Sequence, residues 1–175
     1  DTPDQGAGSY YDITVVDNLA YLANGYGGLF IIDVDQQSPD FCTSIGTWPY
    51  GDIMGIDVVG TIAYAADSNM GLMIVDVSNP ANPVKIGSYR PDAGSGAYRV
   101  TVFENKAYVM FAYIGFGVVD VTIPSTPYLV DSIEPPINSF HDMKVIDNAA
   151  YIVGYMSGLQ IIDISTPSAL TMKAS

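Results

Sequence analysis

A seven-residue motif recurs four times along the chain at almost constant spacing. Its copies are Gly28–Val34 (Gly-Leu-Phe-Ile-Ile-Asp-Val), Gly71–Val77 (Gly-Leu-Met-Ile-Val-Asp-Val), Gly115–Val121 (Gly-Phe-Gly-Val-Val-Asp-Val) and Gly158–Ile164 (Gly-Leu-Gln-Ile-Ile-Asp-Ile). The motif aspartates Asp33, Asp76, Asp120 and Asp163 are separated by 43, 44 and 43 residues. An Ala-Tyr pair precedes each motif in the same register. The chain therefore consists of one structural unit repeated four times.

Each unit divides into four short strands. In the first unit the apolar stretches are Tyr11–Val16, Leu19–Ala23, Leu29–Val34 and Phe41–Thr47. Turn residues such as Asp17-Asn18 and strand breakers such as Gln37-Ser38-Pro39 separate them. No stretch of useful length has the 3.6-residue period of an amphipathic helix. An all-β repeat of this length is typical of a β-propeller blade.

The predicted fold class is therefore an all-β propeller built of four-stranded antiparallel blades. The approximate repeats are residues 9–48, 52–89, 96–133 and 139–175, within a single propeller region spanning residues 1–175. Strict recurrence predicts that Tyr21, Tyr64, Tyr108 and Tyr151 are buried between blades, whereas Tyr26 and Tyr155 are more exposed. Cys42, the single cysteine, falls in a predicted apolar strand, which favours a buried thiol.

The repeats resemble the LVIVD repeat, a bacterial and archaeal family of β-propeller blades. The resemblance rests on the Gly-Leu-x-Ile-Ile/Val-Asp-Val core, the Ser-x-Pro-x-x-Pro that follows and the Asn-x-Ala-Tyr that precedes it. The second repeat fits best, over Gly71–Ile86. The third repeat departs at Phe116, where leucine is usual, and the first departs after Val34. The resemblance implies a propeller fold and a surface or secreted protein.

The chain is strongly acidic, with a net charge of −13 over 175 residues. Such a surface repels nucleic-acid phosphates and anionic lipid headgroups, so we expect no nucleic-acid partner. No apolar run approaches the roughly 20 residues of a membrane-spanning helix, so we expect no membrane insertion. Acidity with few lysines suits a secreted protein, extracellular or at the cell surface, or one from a salty medium. The alternative explanation of the acidity is solubility alone.

The sequence assigns no catalytic residue, but one place could carry chemistry. His141-Asp142 is the only point where the sole histidine adjoins an acid, and Asp12 occupies the position of Asp142 in the first repeat. First strands line the channel of a propeller, so these residues are candidates for a general base or a metal ligand at the channel mouth. The structural alternative, which one histidine favours, is a polar cap at a strand entrance.

Closely spaced oxygen ligands suggest calcium as a possible cofactor. The candidate ligands are Asp33 and Asp35 in the first repeat and Asp67 and Asn69 in the second. Neither pair has the twelve-residue calcium loop with its closing glutamate. The alternative is structural, because an Asp carboxylate accepts hydrogen bonds from nearby backbone amides in a turn.

Aromatic residues and methionines cluster in loops that we expect to share one face of the propeller. The residues of this predicted binding face are Tyr11, Tyr26, Met70, Tyr98, Arg99, Tyr113, Tyr155 and Met156. Tyrosine and methionine are favoured at protein interfaces, and tyrosine also stacks on sugars. The expected partners are thus other proteins or copies of this chain, and a glycan is possible.

The function that these features favour is a non-catalytic extracellular module for protein binding or self-assembly. The alternative is a propeller-type hydrolase or lyase with its site around His141-Asp142. The residues Asp1–Tyr10 resemble the connection Pro91–Ala97 that leads into the third repeat. We therefore expect the four blades to belong to a larger or intermolecularly completed assembly. In that case the terminal blades contact other protein.

Overall fold

The computed structural model describes residues 9–92, 94–134, 140–154 and 158–174, with no description of the Phe140 side chain. These residues form four antiparallel sheets of four strands each. No helix is found in these ranges, and hence none that could cross a bilayer. The all-β blade architecture predicted from the 43–44-residue period is confirmed.

Each sheet is one blade, and its strands follow the order of the chain. Blade 1 contains β1 (Asp12–Val16), β2 (Leu19–Ala23), β3 (Leu29–Asp33) and β4 (Ser44–Trp48). Blade 2 contains β5 (Ile53–Val59), β6 (Ile62–Asp67), β7 (Gly71–Asp76) and β8 (Val84–Tyr89). Blade 3 contains β9 (Ala97–Phe103), β10 (Lys106–Phe111), β11 (Gly115–Asp120) and β12 (Tyr128–Ile133). Blade 4 contains β13 (Phe140–Ile146), β14 (Ala149–Gly154), β15 (Gly158–Asp163) and β16 (Thr171–Ala174).

Tight turns join the first and second strands of every blade. Their left-handed residues are Asp17, Gly60, Glu104, Asn105 and Asp147, with φ between 48° and 59°. Glycine, asparagine and aspartate adopt this conformation at least cost, which explains the composition of these turns except at Glu104. The turns fix the register, so that the residue at the same repeat position always points to the same face of its blade.

The motif glycine and the motif aspartate each have a local structural role. Gly28 and Gly71 have φ of 81° and 82°, and a Cβ at either position would collide with the carbonyl of Trp48 or Tyr89 on the fourth strand. The aspartate carboxylate accepts a hydrogen bond from the amide two residues later, as Asp76 does from Ser78 at 2.8 Å. The same bond occurs at Asp33, Asp120 and Asp163. The turn interpretation of these aspartates is confirmed.

Three apolar clusters between neighbouring blades form the core. Each contains the Ala-Tyr tyrosine of one blade and the Ala-Tyr alanine of the next: Tyr21 and Ala63, Tyr64 and Ala107, and Tyr108 and Ala150. The first cluster joins Leu29 and Ile31 of blade 1 to Ile56 and Val58 of blade 2. Every internal interface therefore uses the same pair of blade faces.

The blades form an arc and the ring is not closed. The innermost strands contact each other in the series β1, β5, β9 and β13. Within the described residues, β13 and β1 do not make a contact of this kind. One face of blade 1 and one face of blade 4 are consequently left without a neighbouring blade.

Two predictions from the recurring pattern are wrong, each for a physical reason. Tyr21, Tyr64 and Tyr108 are 3–5% exposed, but Tyr151 is 36% exposed because none of the described residues forms a blade over it. Cys42 is exposed and lies in the connection before β4, since this connection is three residues longer in blade 1 (34–43) than in blade 2 (77–83). Tyr26 is exposed as predicted, whereas Tyr155 lies outside the described residues.

Truncation of an inter-blade tyrosine tests this packing. We expect Tyr64→Ala to lower the free energy of unfolding by about 3–5 kcal/mol, because it removes a buried aromatic ring and leaves a cavity. Tyr26→Ala is the matched control, since the Tyr26 side chain is exposed. Chemical denaturation monitored by circular dichroism measures both. A larger loss for Tyr26→Ala than for Tyr64→Ala would contradict the assignment.

Candidate functional site

A central cavity of about 410 Å³ is surrounded by the first strands of all four blades. Its lining residues are Asp12, Ile13, Thr14, Ile56, Asp57, Arg99, Val100, Thr101, Asp142, Met143, Lys144 and Val145. The first strands line the channel, as the sequence predicts, and the polar residues at their alternate positions point into it. The cavity carries both carboxylates and basic side chains, so it suits a polar occupant better than an apolar one.

The carboxylates Asp12 and Asp57 link one blade to the next. Asp12 Oδ2 accepts a hydrogen bond from the Ile56 amide at 3.0 Å, and Asp57 Oδ2 accepts one from the Val102 amide at 2.7 Å. Burial raises the pKa of Asp57, hydrogen bonds from the Val102 and Val58 amides partly oppose the rise, and the charge of Asp12 adds to it. Both oxygens of Asp12 are engaged, because Oδ1 accepts the Ile13 amide at 2.9 Å.

The candidates for catalysis lie at one end of this channel. Asp12 and Asp142 both line the cavity, and His141 lies beside them at the exposed start of β13. Asp142 Oδ1 accepts the Met143 amide at 2.9 Å and is 3.9 Å from Arg99 Nε. Arg99 Nη1 is held by the Met54 and Tyr98 carbonyls at 2.7 and 2.8 Å. The structure thus places Asp142 near Arg99, whereas Asp12 accepts hydrogen bonds from the Ile13 and Ile56 amides.

The candidate calcium ligands take part in hydrogen bonds within their own turns. Asp33 accepts from the Asp35 amide and the Ser38 hydroxyl, and Asp35 accepts from the Asn18 side chain. Asp67 accepts from the amides of Asp52, Asn69 and Met70 at 2.7–3.0 Å. Among the described residues, no three His, Cys, Asp or Glu side chains are grouped as a metal site. The carboxylates stabilise the conformation of these loops through their hydrogen bonds.

The predicted binding face consists of separate exposed side chains. Tyr11, Tyr26, Met70, Tyr98 and Tyr113 are exposed, and Arg99 is half-buried in the channel. Tyr155 and Met156 lie outside the described residues. Among the described members of the face, Arg99 is joined to Tyr98 through the backbone carbonyl. The role of these residues in binding stays a prediction.

An apolar pocket between blades 1 and 2 was not foreseen from the sequence. It has a volume of about 370 Å³, and its lining includes Trp48, Tyr50, Met70 and Met73. Trp48 and Tyr50 pack at 5.5 Å between ring centroids, with Tyr50 exposed at the rim. One sequence signal could have indicated this pocket. It is the only tryptophan in the chain, which precedes a Pro-Tyr dipeptide at the end of a strand.

Apolar side chains that are buried in the inner blades are exposed on the two outer blades. On blade 1, Ile13 and Val15 are 57% and 55% exposed, whereas Ile56, Val58, Val100 and Met143, at matching positions, are 4–6% exposed. Cross-strand pairing adds Leu22, Phe30, Ala20 and Ile32 to the same side of the blade. We call this the leading face, defined by Ile13, Val15, Ala20, Leu22, Phe30 and Ile32.

Blade 4 presents the opposite type of face. Leu159 is 48% exposed, whereas its counterparts Leu29, Leu72 and Phe116 are fully buried. Val153 is also exposed where Ala23, Ala66 and Met110 are buried. Strand pairing places Tyr151, Val153, Leu159 and Ile161 on one side of the blade. We call these four residues the trailing face. The exposure of both faces could not be predicted from the recurring sequence pattern, because the outer blades repeat residues that are buried in the inner ones.

Comparison with known proteins identifies the repeat. A family model described as LVIVD repeat matches four times, over residues 7–41, 50–90, 94–134 and 139–175. These matches cover most of the chain and agree with the resemblance seen in its motifs. No curated protein sequence matches the chain.

Solved structures with the same fold include two computationally designed proteins. Over 91% of the chain the fold is similar to the designed Ika8 protein, with a TM-score of 0.70, 10% identity and 47% of that chain covered. The designed Ika4 protein gives a TM-score of 0.69 at 9% identity, over 90% of this chain and 92% of that one. The N-terminal domain of Nup159 gives 0.61 at 10% identity, over 95% of this chain and 43% of that one. The chain thus spans less than half of Ika8 and of the Nup159 domain.

The motif aspartates generate a prediction about acid stability. Despite partial burial, hydrogen bonds from Thr122 and the Lys106 ammonium at 3.0 Å lower the pKa of Asp120 to about 2. Hydrogen bonds from Ser165, with Lys173 nearby, likewise lower the pKa of Asp163 to about 2. A carboxyl whose pKa is lowered in the folded state stabilises the fold above its unfolded pKa, and this stabilisation disappears as the pH falls through the folded value.

We therefore expect Asp120→Asn to lower the melting temperature by a few degrees at pH 7 and by progressively less between about pH 4 and pH 2. Thermal melts over this range measure the effect. Glu134→Gln is the control, because Glu134 is exposed outside the repeated turns and should change little. A melting difference for Asp120→Asn that does not shrink on acidification would contradict the charge-based explanation.

Proposed function

Because the chain belongs to the LVIVD repeat family, whose blades are repeat modules, we propose that it is a non-catalytic module for protein binding or self-assembly. Its place of action in this proposal is the cell surface or the extracellular space. The net charge of −13 is compatible with that location. The surfaces that act are the leading and trailing faces at the two ends of the arc.

The observation that supports this function is the exposure of residues that are buried at every internal interface. Ile13 is 57% exposed and Leu159 is 48% exposed, whereas their counterparts in the other blades are at most 6% exposed. Large exposed apolar patches on soluble proteins are typical of interaction sites. Covering side chains of this size contributes about 1.5–3 kcal/mol each when burial is complete. Several such residues on each face provide enough driving force for specific association.

The alternative function is a propeller-type hydrolase or lyase at the channel. The cavity of about 410 Å³, with Asp142 and Arg99 in its lining, favours it. Such an enzyme requires a carboxylate or imidazole free to transfer a proton. The two oxygens of Asp12 are engaged by backbone amides, which leaves His141 and Asp142 to act. Turnover that His141→Ala and Asp142→Asn both abolish would favour the enzyme over the binding module.

The binding function predicts association of the purified chain. Its mass measured by light scattering should exceed the monomer mass of 18.7 kDa at micromolar concentration. Val15→Asp should reduce the mass to that of the monomer, since burial of an uncompensated charge costs several kcal/mol. Ile123→Asp is the control: Ile123 is 61% exposed but lies in the loop before β12, away from both faces. An 18.7 kDa wild-type protein that neither substitution changes would contradict the proposal.

A further inference from the structure

We propose that the apolar pocket between blades 1 and 2 binds a small aryl carboxylate, with its ring beside Trp48 and its carboxylate at Lys85. The pocket has a volume of about 370 Å³, and Met70 and Met73 complete its apolar lining. Sites for small ligands generally combine apolar walls with a few polar groups, as this pocket does. The site is separate from the proposed function, because it lies at an internal interface and not at the open blade faces.

The next interface along the chain, between blades 2 and 3, shows which group suits this space. There, Phe111 is the last residue of β10 and pairs with the motif glycine, as Asp67 does in blade 2. The Phe111 ring lies over Gly117, where a Cβ would be 3.1 Å from it. The ring also packs against Tyr89 at 6.0 Å between ring centroids. Blade 3 thus places a phenyl ring of its own in the interface.

Blade 2 has no ring at the corresponding position. Asp67 takes the place of Phe111, and its carboxylate accepts hydrogen bonds from three nearby backbone amides at 2.7–3.0 Å. Met73 takes the place of Gly117 and lines the cavity beside Trp48. A phenyl ring from outside the chain would therefore complete this interface, as Phe111 completes the next one.

The walls of the pocket suit an aromatic ring. Trp48 is 6% exposed, and its ring packs against that of Tyr50 at 5.5 Å between centroids. Aromatic pairs favour offset or edge-to-face contacts, which these two tilted rings offer to a third one. Met70 and Met73 add thioethers, which adapt their shape to a neighbour and make favourable contacts with aromatic rings.

Lys85 gives the pocket its preference for a negatively charged ligand. Its counterpart in blade 3 is the apolar Leu129. Lys85 is exposed and forms no salt bridge within the part of the chain that the structure describes, so its ammonium is available to a carboxylate. Arg90 lies next to the pocket, with Nη1 3.9 Å from Met70 Sδ. Two of the six basic residues of this acidic chain thus lie at the pocket.

The negative charges of the protein limit the size and charge of the ligand. Asp67 is the one carboxylate among the lining residues, and it is fully buried with three amide donors that offset its charge. The net charge of −13 repels anions at long range, but salt screens this repulsion beyond about 8 Å at physiological ionic strength. The contact with Lys85 is direct. A small ligand with a single carboxylate is therefore favoured over a polyanion.

The fluorescence of Trp48 tests the proposal directly. Because Trp48 is the only tryptophan of the chain, excitation where tyrosine does not absorb reports on this pocket alone. Titration with hydrocinnamate should change the emission in a saturable manner, with a dissociation constant below about 1 mM. Hydrocinnamyl alcohol, which has the same ring without the charge, should bind about three- to tenfold more weakly. Propionate, which has the charge without the ring, should give no saturable change.

Substitutions separate the charge from the ring. Lys85→Met should weaken the binding of hydrocinnamate by about three- to tenfold and leave that of hydrocinnamyl alcohol unchanged. Lys173→Met is the matched control, because it removes the same charge from blade 4 and should bind as wild type does. Met70→Ala should weaken the binding of both compounds by at least about threefold, since it removes part of the apolar wall. Thermal melts verify that each variant is folded.

Methyl NMR of the unmodified protein provides a second measurement that does not depend on any variant. Hydrocinnamate should shift the methyl signals of Met70 and Met73, whereas the signal of Met143, which lines the channel, should stay in place. A shift of the Met143 signal without shifts of the other two would place the ligand in the channel and overturn the proposal.

Other outcomes would also overturn the proposal. The first is the lack of a saturable change in Trp48 emission below about 10 mM hydrocinnamate. The second is equal binding of hydrocinnamate by the wild type and Lys85→Met, which would show that the carboxylate is not recognised. A short peptide ending in phenylalanine that binds at least about tenfold more tightly than hydrocinnamate would identify the carboxyl end of a protein as the ligand instead. The proposed function survives each of these results, because its test measures association of the chain through the open blade faces.

Discussion

The apolar packing of one blade face on the next is the interaction on which the structure depends. It occurs at all three internal interfaces, with Tyr21, Tyr64 and Tyr108 almost fully buried. The Ala-Tyr dipeptide contributes to both faces of a blade, because adjacent residues of a strand point to opposite faces of the sheet. The alanine therefore belongs to the cluster shared with the preceding blade, and the tyrosine belongs to the cluster shared with the following one. A blade with this dipeptide is directional, and its two faces are not interchangeable.

Directional stacking leaves an arc with two different ends. The leading face retains Ile13 and Val15, and the trailing face retains Tyr151 and Leu159, all exposed. Both faces therefore carry the apolar residues that are typical of an internal interface. The negative charge is the feature that opposes unspecific association of these surfaces.

Much of the fold could be predicted from the sequence, because the recurring residues report local and inter-blade constraints. The motif glycine, the left-handed hairpin residues and the motif aspartate each follow from one strand or turn. Tyr151 and Cys42 could not be placed in this way. The exposure of Tyr151 depends on the absence of a neighbouring blade in the described arc, and that of Cys42 on a longer connection in blade 1 alone. A repeat pattern describes the average unit. It does not show which blade faces lack a neighbour or where one connection is longer than the others.

The candidate site shows the same division between recurring and variable positions. Asp12 and Asp57 stand at different repeat positions, and yet each joins its blade to a backbone amide of the next. Arg99 makes an equivalent link through the Met54 carbonyl of the preceding blade. Asp12, a candidate for chemistry, and Arg99, a candidate for binding, thus link the first strands around the channel, as Asp57 does. Because these side chains already form hydrogen bonds with the backbone, they are only partly free to bind a molecule in the cavity. The exposed blade faces therefore provide a stronger physical basis for function than the channel does.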